Sequence, residues 1–317
     1  MPPASGLSIV VPVFNEEAVL RHTHAALSRL ADAPELAELP WVELVYVDDG
    51  SSDGSARVLR ELAGDSGRLR VRALQFSRNF GHSAAVIAGL EAARGGYVAI
   101  IDADLQDPPE VLPAMYRELR AGADVVYGQR RRREGDTFFK RVTAWAFYRI
   151  LARLTGVAIP PDTGDFRIFT RQVLEAVISC KEQEPFVRGL VAWVGFRQKP
   201  FPYDRKPREH GESKYPFRKM LRFAVGAALS FSTTPLRIAI YVGFIGFLGS
   251  LAISAWVVVQ YLRHLVIQGW TSLLLGYLYG QSITLITIGF VGLDVGQIQN
   301  QAKGRPRYIL RDGAAGS

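Results

Sequence analysis

Three aspartates and a glutamine follow an apolar run in the stretch AIIDADLQDPPEVL, residues 99–112. Side chains on an extended strand alternate between two faces, so the spacing of Asp102, Asp104 and Gln106 turns them to the same side. Carboxylates gathered in this way at the end of a strand predict a bound cation. Asp107 precedes two prolines, and we expect its carboxylate to cap the start of a helix.

Two more acid pairs occur where apolar runs end, Glu16 with Glu17 and Asp48 with Asp49. The apolar runs predict strands at residues 7–13, 41–49, 69–76, 97–104 and 123–128. Helix-like segments begin between them, near Glu17, Gly54, Gly81 and Pro109. This alternation predicts a mostly parallel sheet with both faces covered, whose ligands bind at the carboxyl ends of the strands. Solvated turn acids are the alternative interpretation, but three clusters on one edge favour a binding site.

The chain has 317 residues, enough for one full-sized domain and an appendage. Its net charge of +8, from 38 Lys and Arg against 30 Asp and Glu, favours anionic partners such as phosphorylated ligands, nucleic acid or an acidic membrane surface. The single cysteine, Cys180, excludes an intramolecular disulfide, and five scattered histidines give no zinc-binding pattern. The N-terminus lacks the basic segment of a signal peptide, and we predict none.

Two long apolar runs lie in the last third, at residues 238–262 and 270–293, and neither contains a charged residue. Each exceeds the roughly 20 residues that a helix needs to cross a membrane, so we predict a two-helix transmembrane hairpin. A pair of buried core helices is the alternative. Basic residues flank the hairpin on its outer sides, at Arg218, Lys219, Arg222, Arg237, Lys303, Arg305, Arg307 and Arg311. The positive-inside rule therefore predicts a multi-pass protein of the cell membrane with its large N-terminal domain and both termini in the cytoplasm.

The stretch before the hairpin, YPFRKMLRFAVGAALSF, carries apolar side chains at helical spacing and basic side chains on the other faces. This pattern favours an interfacial amphipathic helix on anionic headgroups, with a soluble amphipathic helix as the alternative. We therefore predict four parts. They are a cytoplasmic α/β domain at 1–214, an interfacial helix at 215–234, the hairpin at 235–295 and a basic tail at 296–317.

Five motifs follow one another along the chain: VPVFNEE, YVDDGSSDGS, SRNFGHSAAVIAGLEAARGGYVAIIDADLQDPPE, DTGDFRIF and HGESKY. With the two apolar runs behind them, they make the chain resemble the family 2 glycosyltransferases of the GT-A fold. It is most similar to the polyprenyl-phosphate glycosyltransferases of the GtrB and dolichyl-phosphate mannose synthase type, from Ser8 to about Leu310. The resemblance implies a Rossmann-like GT-A domain, followed by the interfacial helix and the transmembrane hairpin.

The resemblance also implies the site residues. It implies Mg²⁺ or Mn²⁺ at Asp102, Asp104 and Gln106. The nucleotide sugar is implied to contact Pro12, Phe14, Glu16, Val47, Asp49, Asp102, Ala103, Asp104, Arg208 and Lys214. Arg130 and Arg141 match positions that bind the acceptor phosphate, although Trp145 stands where some relatives carry a serine.

Asp104 and Asp165 are the implied catalytic residues. Asp165 would either position the acceptor or accept a residual proton, and a pairing with Arg167 or a neighbouring arginine is the alternative. At the second strand end, the residues alone do not separate Asp48 from Asp49 as the ligand contact.

The implied reaction is an inverting, metal-dependent transfer of a sugar, with UDP-glucose and undecaprenyl phosphate as the first choice of substrates. Its product would be a polyprenyl-phosphate sugar on the cytoplasmic leaflet. The alternatives are a mannose synthase that uses GDP-mannose, a processive polysaccharide synthase and a non-catalytic membrane scaffold. The resemblance implies a homotetramer and no nucleic-acid partner. Residues 292–301, GLDVGQIQNQ, depart from the GEYIGR-like segment of many relatives.

Overall fold

The computed structural model describes residues 6–131, 163–183, 185–204 and 270–311, together with isolated positions between 245 and 263. Eight strands in these ranges form one sheet. Their bounds are β1 Leu7–Val13, β2 Val42–Asp48, β3 Gly64–Ser66, β4 Leu69–Gln75, β5 Tyr97–Ile100, β6 Val125–Arg130, β7 Thr163–Thr170 and β8 Gln198–Tyr203. They lie in the order β3-β4-β2-β1-β5-β7-β6-β8.

Four neighbouring strands of the sheet are parallel, and antiparallel pairs occur on both sides of them. The neighbours β4, β2, β1 and β5 run parallel, as predicted. β7 pairs antiparallel with both β5 and β6, and β8 is parallel to β6 at the edge. The α/β class is therefore confirmed. The prediction of a mostly parallel sheet holds only for these four strands, because β3 pairs antiparallel with β4 and β7 enters between β5 and β6 in the opposite direction.

Helices connect the strands. Their bounds are α1 Glu17–Ser28, α2 Ser55–Leu62, α3 His82–Ala92, α4 Leu112–Arg120, α5 Arg171–Ser179, α6 Val187–Trp193 and α7 Trp270–Ala302. The predicted helix starts are confirmed. Gly54 and Gly81 are the N-cap residues of α2 and α3, and Pro109 begins a 3₁₀ turn that leads into α4.

α3 packs closely against β1 and β2, and its residues from Ala84 to Leu90 are all buried. A Cβ on Gly89 would lie only 2.2 Å from Cγ1 of Val10, so this position has no room for a larger side chain. The close packing fixes the start of α3 beside the carboxyl end of β1.

β5 is shorter than predicted, since it ends at Ile100 and not at residue 104. Ile100 is the last of its residues to pair with β7, and Leu105 has a positive φ of 53°. Asp104 closes the turn, because its Oδ1 accepts a hydrogen bond from the backbone N–H of Gln106 at 3.2 Å. The acids that follow β5 thus lie on a turn, and strand alternation does not set the direction of their side chains.

The chain divides into two compact units. The first contains Met1–Tyr148, Val157–Lys214 and Pro306–Ser317, and the second contains Arg149–Gly156 and Tyr215–Arg305. The whole sheet and helices α1 to α6 belong to the first unit, whereas α7 belongs to the second.

The predicted membrane segments fall in the second unit. Among the residues that the structure describes, no helix combines the length and the apolar character that crossing a membrane requires. The second predicted span, 270–293, lies within α7. The predicted interfacial helix at 215–234 lies outside the described residues, as does the first span at 238–262 apart from isolated positions.

Candidate active site

A cavity of about 300 Å³ lies at the carboxyl ends of β1, β2 and β5. Four stretches of the first unit line it, with Pro12, Val13, Phe14, Glu16, Asp49, Asn79, Gly81, His82, Ala85, Asp102, Ala103 and Asp104. The acid clusters that end three separate strands thus meet in one place. Seven of the ten residues assigned to the nucleotide sugar are on this wall.

The other three assigned contacts are not on the wall. Val47 is fully buried in β2 and packs below α3, where its Cγ2 would lie 3.2 Å from a Cβ on Gly89. Arg208 and Lys214 lie outside the described residues, as does the acceptor-site candidate Arg141.

The loops that follow β1 and β2 are hydrogen-bonded to each other beside the cavity. Asn15 donates its backbone N–H to Ser51 Oγ and accepts the backbone N–H of Ser52 on its side-chain oxygen, both at 2.9 Å. Glu17 accepts the backbone N–H of Gly54 at 2.9 Å. Glu17 therefore joins the two loops. This structural role accounts for the acid at position 17, and no ligand contact is needed to explain it.

Asp48 and Asp49, which the sequence did not separate, have different surroundings. Asp48 is buried, and its Oδ1 accepts the backbone N–H of Ser51 at 3.0 Å. Asp49 lines the cavity, and its Oδ1 accepts the backbone N–H groups of Phe80 and Gly81 at 2.7 and 3.1 Å. Burial raises the pKa of the Asp49 carboxyl, and these two bonds act in the opposite direction. Asp49 is thus the one that contacts the cavity, and it also fixes the loop after β4.

Asp102 and Asp104 reach the cavity from the turn after β5. Oδ1 of Asp102 is buried, and within the described ranges it has no hydrogen-bond partner. Burial raises the pKa of Asp102 to about 6, because the charged form has lost its hydration. An unsatisfied buried carboxylate oxygen is a suitable ligand for a divalent cation, which supplies the missing positive charge.

The side chains present suit a cation for which the protein supplies only some of the ligands. No group of three His, Cys, Asp or Glu side chains suited to a metal occurs in the part of the chain that the structure describes. Mg²⁺ is commonly bound by one or two carboxylates, with substrate phosphates and water completing its shell. Asp102 and Asp104 match that smaller share, and Gln106 follows on the same turn.

Asp165 lies on β7 and forms a bidentate ion pair with Arg188 of α6, with Nε–Oδ1 and Nη2–Oδ2 distances of 2.8 and 3.2 Å. His82 Nε2 lies 3.2 Å from Oδ2 of Asp165 and 3.8 Å from Oδ1 of Asp102. Burial acts to raise the pKa of Asp165. The hydrogen bond to His82 and the charge of Arg188 outweigh this effect and hold that pKa well below its usual range. Asp165 therefore stays ionised.

Asp165 does pair with an arginine, but the partner is Arg188 and not Arg167. Arg167 instead donates to the backbone carbonyls of Asp165 and Gly164, at 3.3 and 2.9 Å. Burial lowers the pKa of Arg167 to about 10.

Arg130, at the end of β6, lies beside Gly164 of β7, the residue that precedes Asp165. Its Nη2 would be 3.0 Å from a Cβ on Gly164, and its Nε is buried without a hydrogen-bond partner among the described residues. Tyr203 is hydrogen-bonded to Arg130 and donates to the Asp107 carboxylate. The prediction that Asp107 caps a helix is wrong, because the 3₁₀ turn at Pro109 has no side-chain cap and Asp107 is turned towards Tyr203.

The sequence missed two side chains of this site. His82 is the first residue of α3, where the sequence predicts only the start of a helix, but its ring also lines the cavity and contacts Asp165. Arg188 carries no local motif. The partners of both side chains are distant in the sequence, at separations of 83 and 23 residues from Asp165, and no periodicity reports such contacts.

Comparisons with known proteins agree on one family. The Glycosyl transferase family 2 profile matches residues 8–178. The uncharacterized glycosyltransferase YkcC of Bacillus subtilis (strain 168) is 42% identical over 307 residues, which are 96% of this chain and 93% of that protein. The SfII prophage-derived bactoprenol glucosyl transferase of Shigella flexneri is 36% identical over 314 residues, 98% of this chain and 99% of that protein.

Among solved structures, the chain is similar to glucosyl-3-phosphoglycerate synthase from Mycobacterium tuberculosis in complex with Mn²⁺, UDP-glucose and phosphoglyceric acid. The alignment has a TM-score of 0.48 and 20% identity, and it covers 71% of this chain and 79% of that chain. A likeness at this level carries no inference about this chain.

The Asp165–Arg188 pair should be strongly coupled in stability. In a double-mutant cycle with Asp165→Asn and Arg188→Gln, we expect a coupling free energy of about 1–3 kcal/mol, because either single change leaves a largely desolvated partner behind. The measurement is urea unfolding of the full chain. The pair Arg131 and Asp204, whose side chains are 58% and 74% exposed, is the control, and its cycle should give below about 0.5 kcal/mol. Equal coupling in the two cycles would contradict this account of the buried pair.

Proposed function

The chain belongs to glycosyl transferase family 2, and on this premise we propose that it transfers glucose from UDP-glucose to the phosphate of a polyprenyl lipid, undecaprenyl phosphate. The observation that carries the proposal is the cavity in which Asp49, Asp102 and Asp104 meet at the carboxyl edge of the sheet. The bactoprenol glucosyl transferase of Shigella flexneri, and the prophage homolog of such an enzyme in Escherichia coli K12, support the sugar and the acceptor. GDP-mannose is the alternative donor.

The nucleoside of the donor fits the part of the cavity formed by the ends of β1 and β2. The ring of Phe14 is 46% exposed and offers a face on which a base can stack, beside Pro12. The carboxylate of Asp49 accepts hydrogen bonds only, so it suits a base N–H or a ribose hydroxyl. A cavity of about 300 Å³ has the size of a small-molecule site.

Asp102 and Asp104 would hold Mg²⁺ or Mn²⁺, with Gln106 as a further oxygen ligand. When bound, the cation stabilises the negative charge that gathers on the leaving diphosphate. The buried, unsatisfied Oδ1 of Asp102 supports this assignment. Ala103 lies between the two acids and lines the cavity where the donor would pass.

The proposed reaction is a single displacement with inversion. An oxygen of the lipid phosphate attacks the anomeric carbon, and the bond from that carbon to the UDP oxygen breaks with its electron pair passing to UDP. A phosphate monoester with a second pKa of about 6 is already mostly ionised near neutral pH, so the nucleophile needs no strong base. The low pKa of Asp165 makes it a weak proton acceptor, which supports a positioning role over a basic one.

Arg130 suits the acceptor phosphate. A guanidinium group binds phosphate with two parallel hydrogen bonds and remains charged. Nε of Arg130 is buried and has no hydrogen-bond partner within the described ranges, and Nη2 lies beside Gly164, which precedes Asp165. We assign Arg141 as a second acceptor contact and Arg208 and Lys214 as donor-phosphate contacts, on the resemblance of their motifs alone.

We further propose that the chain is a multi-pass protein of the cell membrane, with both termini in the cytoplasm. The absence of charge from residues 238–262 and 270–293, and the basic residues outside them, support the hairpin. Large apolar side chains such as Leu273, Leu285 and Ile288 are exposed along α7, which also suits a lipid environment. A polyprenyl acceptor is confined to the bilayer, so a membrane anchor would keep the enzyme beside it. The interfacial helix and the homotetramer stay predictions.

Asp104→Ala should lower glucose transfer by roughly 100-fold or more, since it removes charge stabilisation of the leaving group. The measurement is the initial rate at which labelled glucose from UDP-glucose enters extractable lipid, with membranes supplied with undecaprenyl phosphate and Mn²⁺. Asp65→Ala, on the exposed edge strand β3, is the matched control and should keep the wild-type rate. Wild-type transfer by the Asp104 variant would refute the assignment. Faster transfer from GDP-mannose would identify the alternative donor.

Single cysteines should report the orientation of the hairpin. In a Cys180→Ala background, Gly269→Cys places a thiol between the two apolar runs, and Ser317→Cys places one at the C-terminus. We expect a membrane-impermeant maleimide to label the first in intact spheroplasts and the second only after permeabilisation, because the basic flanks stay in the cytoplasm. Labelling in the reverse order would contradict the proposed topology.

A further inference from the structure

Residues 307–311, here called the C-terminal segment, are paired with the end of β4. Ser77 donates its backbone N–H to the carbonyl of Ile309 at 2.9 Å, and Arg311 donates to the carbonyl of Gln75 at 2.8 Å. Phe76 and Leu310 form the antiparallel bridge between these two bonds. The segment thus lies beside the last residues of β4, immediately before the loop that leads to α3.

An aromatic stack continues from this segment into that loop. The ring of Tyr308 lies parallel to the ring of Phe76, with centroids 4.9 Å apart and an interplanar angle of 15°. Phe76 is only 1% exposed, and it meets Phe80 edge to face with centroids 5.6 Å apart. The three rings therefore form one continuous contact. Aromatic pairs of this kind stabilise a structure beyond the effect of their buried area.

Polar contacts fix the segment on α3 and on the residue that follows α5. The Tyr308 hydroxyl donates to Oε2 of Glu91 on α3 at 2.5 Å. Arg307 donates to the carbonyl of Cys180 at 2.7 Å, and its Nη1 lies 3.5 Å from Oε1 of Glu91. The side chain of Arg307 is only 12% exposed, so these contacts are largely shielded from water.

The loop after β4, residues 77–81, belongs to the wall of the candidate active site. Asn79 and Gly81 line the cavity. The far end of the loop is held by Asp49, which accepts the N–H groups of Phe80 and Gly81. The near end is held by the C-terminal segment. The segment is therefore one of two contacts that fix this loop in place.

We propose that Tyr308 is a positioning residue for the nucleotide site: through Phe76 and Phe80 it holds the loop 77–81 in the place that the bound nucleotide needs. The inference rests on the proposed function, since it takes the cavity to be the nucleotide site. Tyr308 lies near the C-terminal end of the chain, outside residues 8–178 that the family profile matches. Preorganised loops improve binding because less ordering is left to occur on association.

The test is calorimetric titration of UDP with Mn²⁺ into the purified full chain, which reports the Kd and the number of sites separately. We expect Tyr308→Ala to raise the Kd for UDP roughly tenfold with an unchanged number of sites, as for removal of a directly coupled contact. Tyr308→Phe keeps the stack and should raise the Kd less than about twofold. Tyr308→Leu keeps apolar bulk but removes the ring, and we expect it to raise the Kd as much as Tyr308→Ala does. It provides the test if the alanine variant folds poorly.

Ile309→Ala is the matched control. The side chain of Ile309 is half exposed, and only its carbonyl bonds to the loop, so its Kd should equal that of the wild type. A purely structural role for Tyr308 predicts fewer sites at the wild-type Kd, and that result would overturn the inference. An unchanged Kd in both Tyr308→Ala and Tyr308→Leu would overturn it as well, while leaving the proposed function intact. A wild-type chain that binds no UDP would instead overturn the proposed function and this inference with it.

Discussion

Crowding of negative charge at the carboxyl edge of the sheet is the constraint on which this site depends. Buried carboxylates are costly unless positive groups or hydrogen-bond donors compensate them. The fold compensates Asp49 with two backbone N–H groups and Asp165 with Arg188 and His82. For Oδ1 of Asp102, the described part of the chain supplies no hydrogen bond. The fold thus compensates Asp49 and Asp165. Oδ2 of Asp48 is also buried without a hydrogen-bond partner among the described residues, but Asp48 does not line the cavity, whereas Asp102 and Asp104 do. The turn after β5 is therefore the part of the site suited to a cation.

The antiparallel strand β7 is what brings the second half of the sheet into this arrangement. Because β7 runs opposite to β5, with Ile100 beside Arg167, residues near its start lie next to the end of β5. Asp165 thereby comes close to the turn that carries Asp102, with His82 contacting both acids. The same direction places Gly164 beside Arg130 at the end of β6. A fully parallel sheet would have put the start of β7 at the opposite edge.

The sequence alone predicts those parts of the structure that depend on local patterns. Apolar runs and the helix-like segments between them locate β1, β2, β4 and the starts of α1 to α4, and acids at strand ends locate the cavity. Local patterns do not determine which of Asp48 and Asp49 turns outward, because the outcome depends on the N–H groups of Phe80 and Gly81. They also miss the contacts of His82 and Tyr308, whose partners come from distant segments. The end of β5 was placed too late because the pairing with β7 stops at Ile100.

The most direct test of the central claim is the position of manganese in crystals of the full chain grown with MnCl₂ and UDP. Mn²⁺ scatters anomalously, so its site can be located independently of the protein atoms. We predict a peak within about 2.0–2.5 Å of carboxylate oxygens from both Asp102 and Asp104, with the remaining ligands from the diphosphate and water. Manganese bound elsewhere, with UDP in the cavity and neither carboxylate in contact with it, would contradict the account.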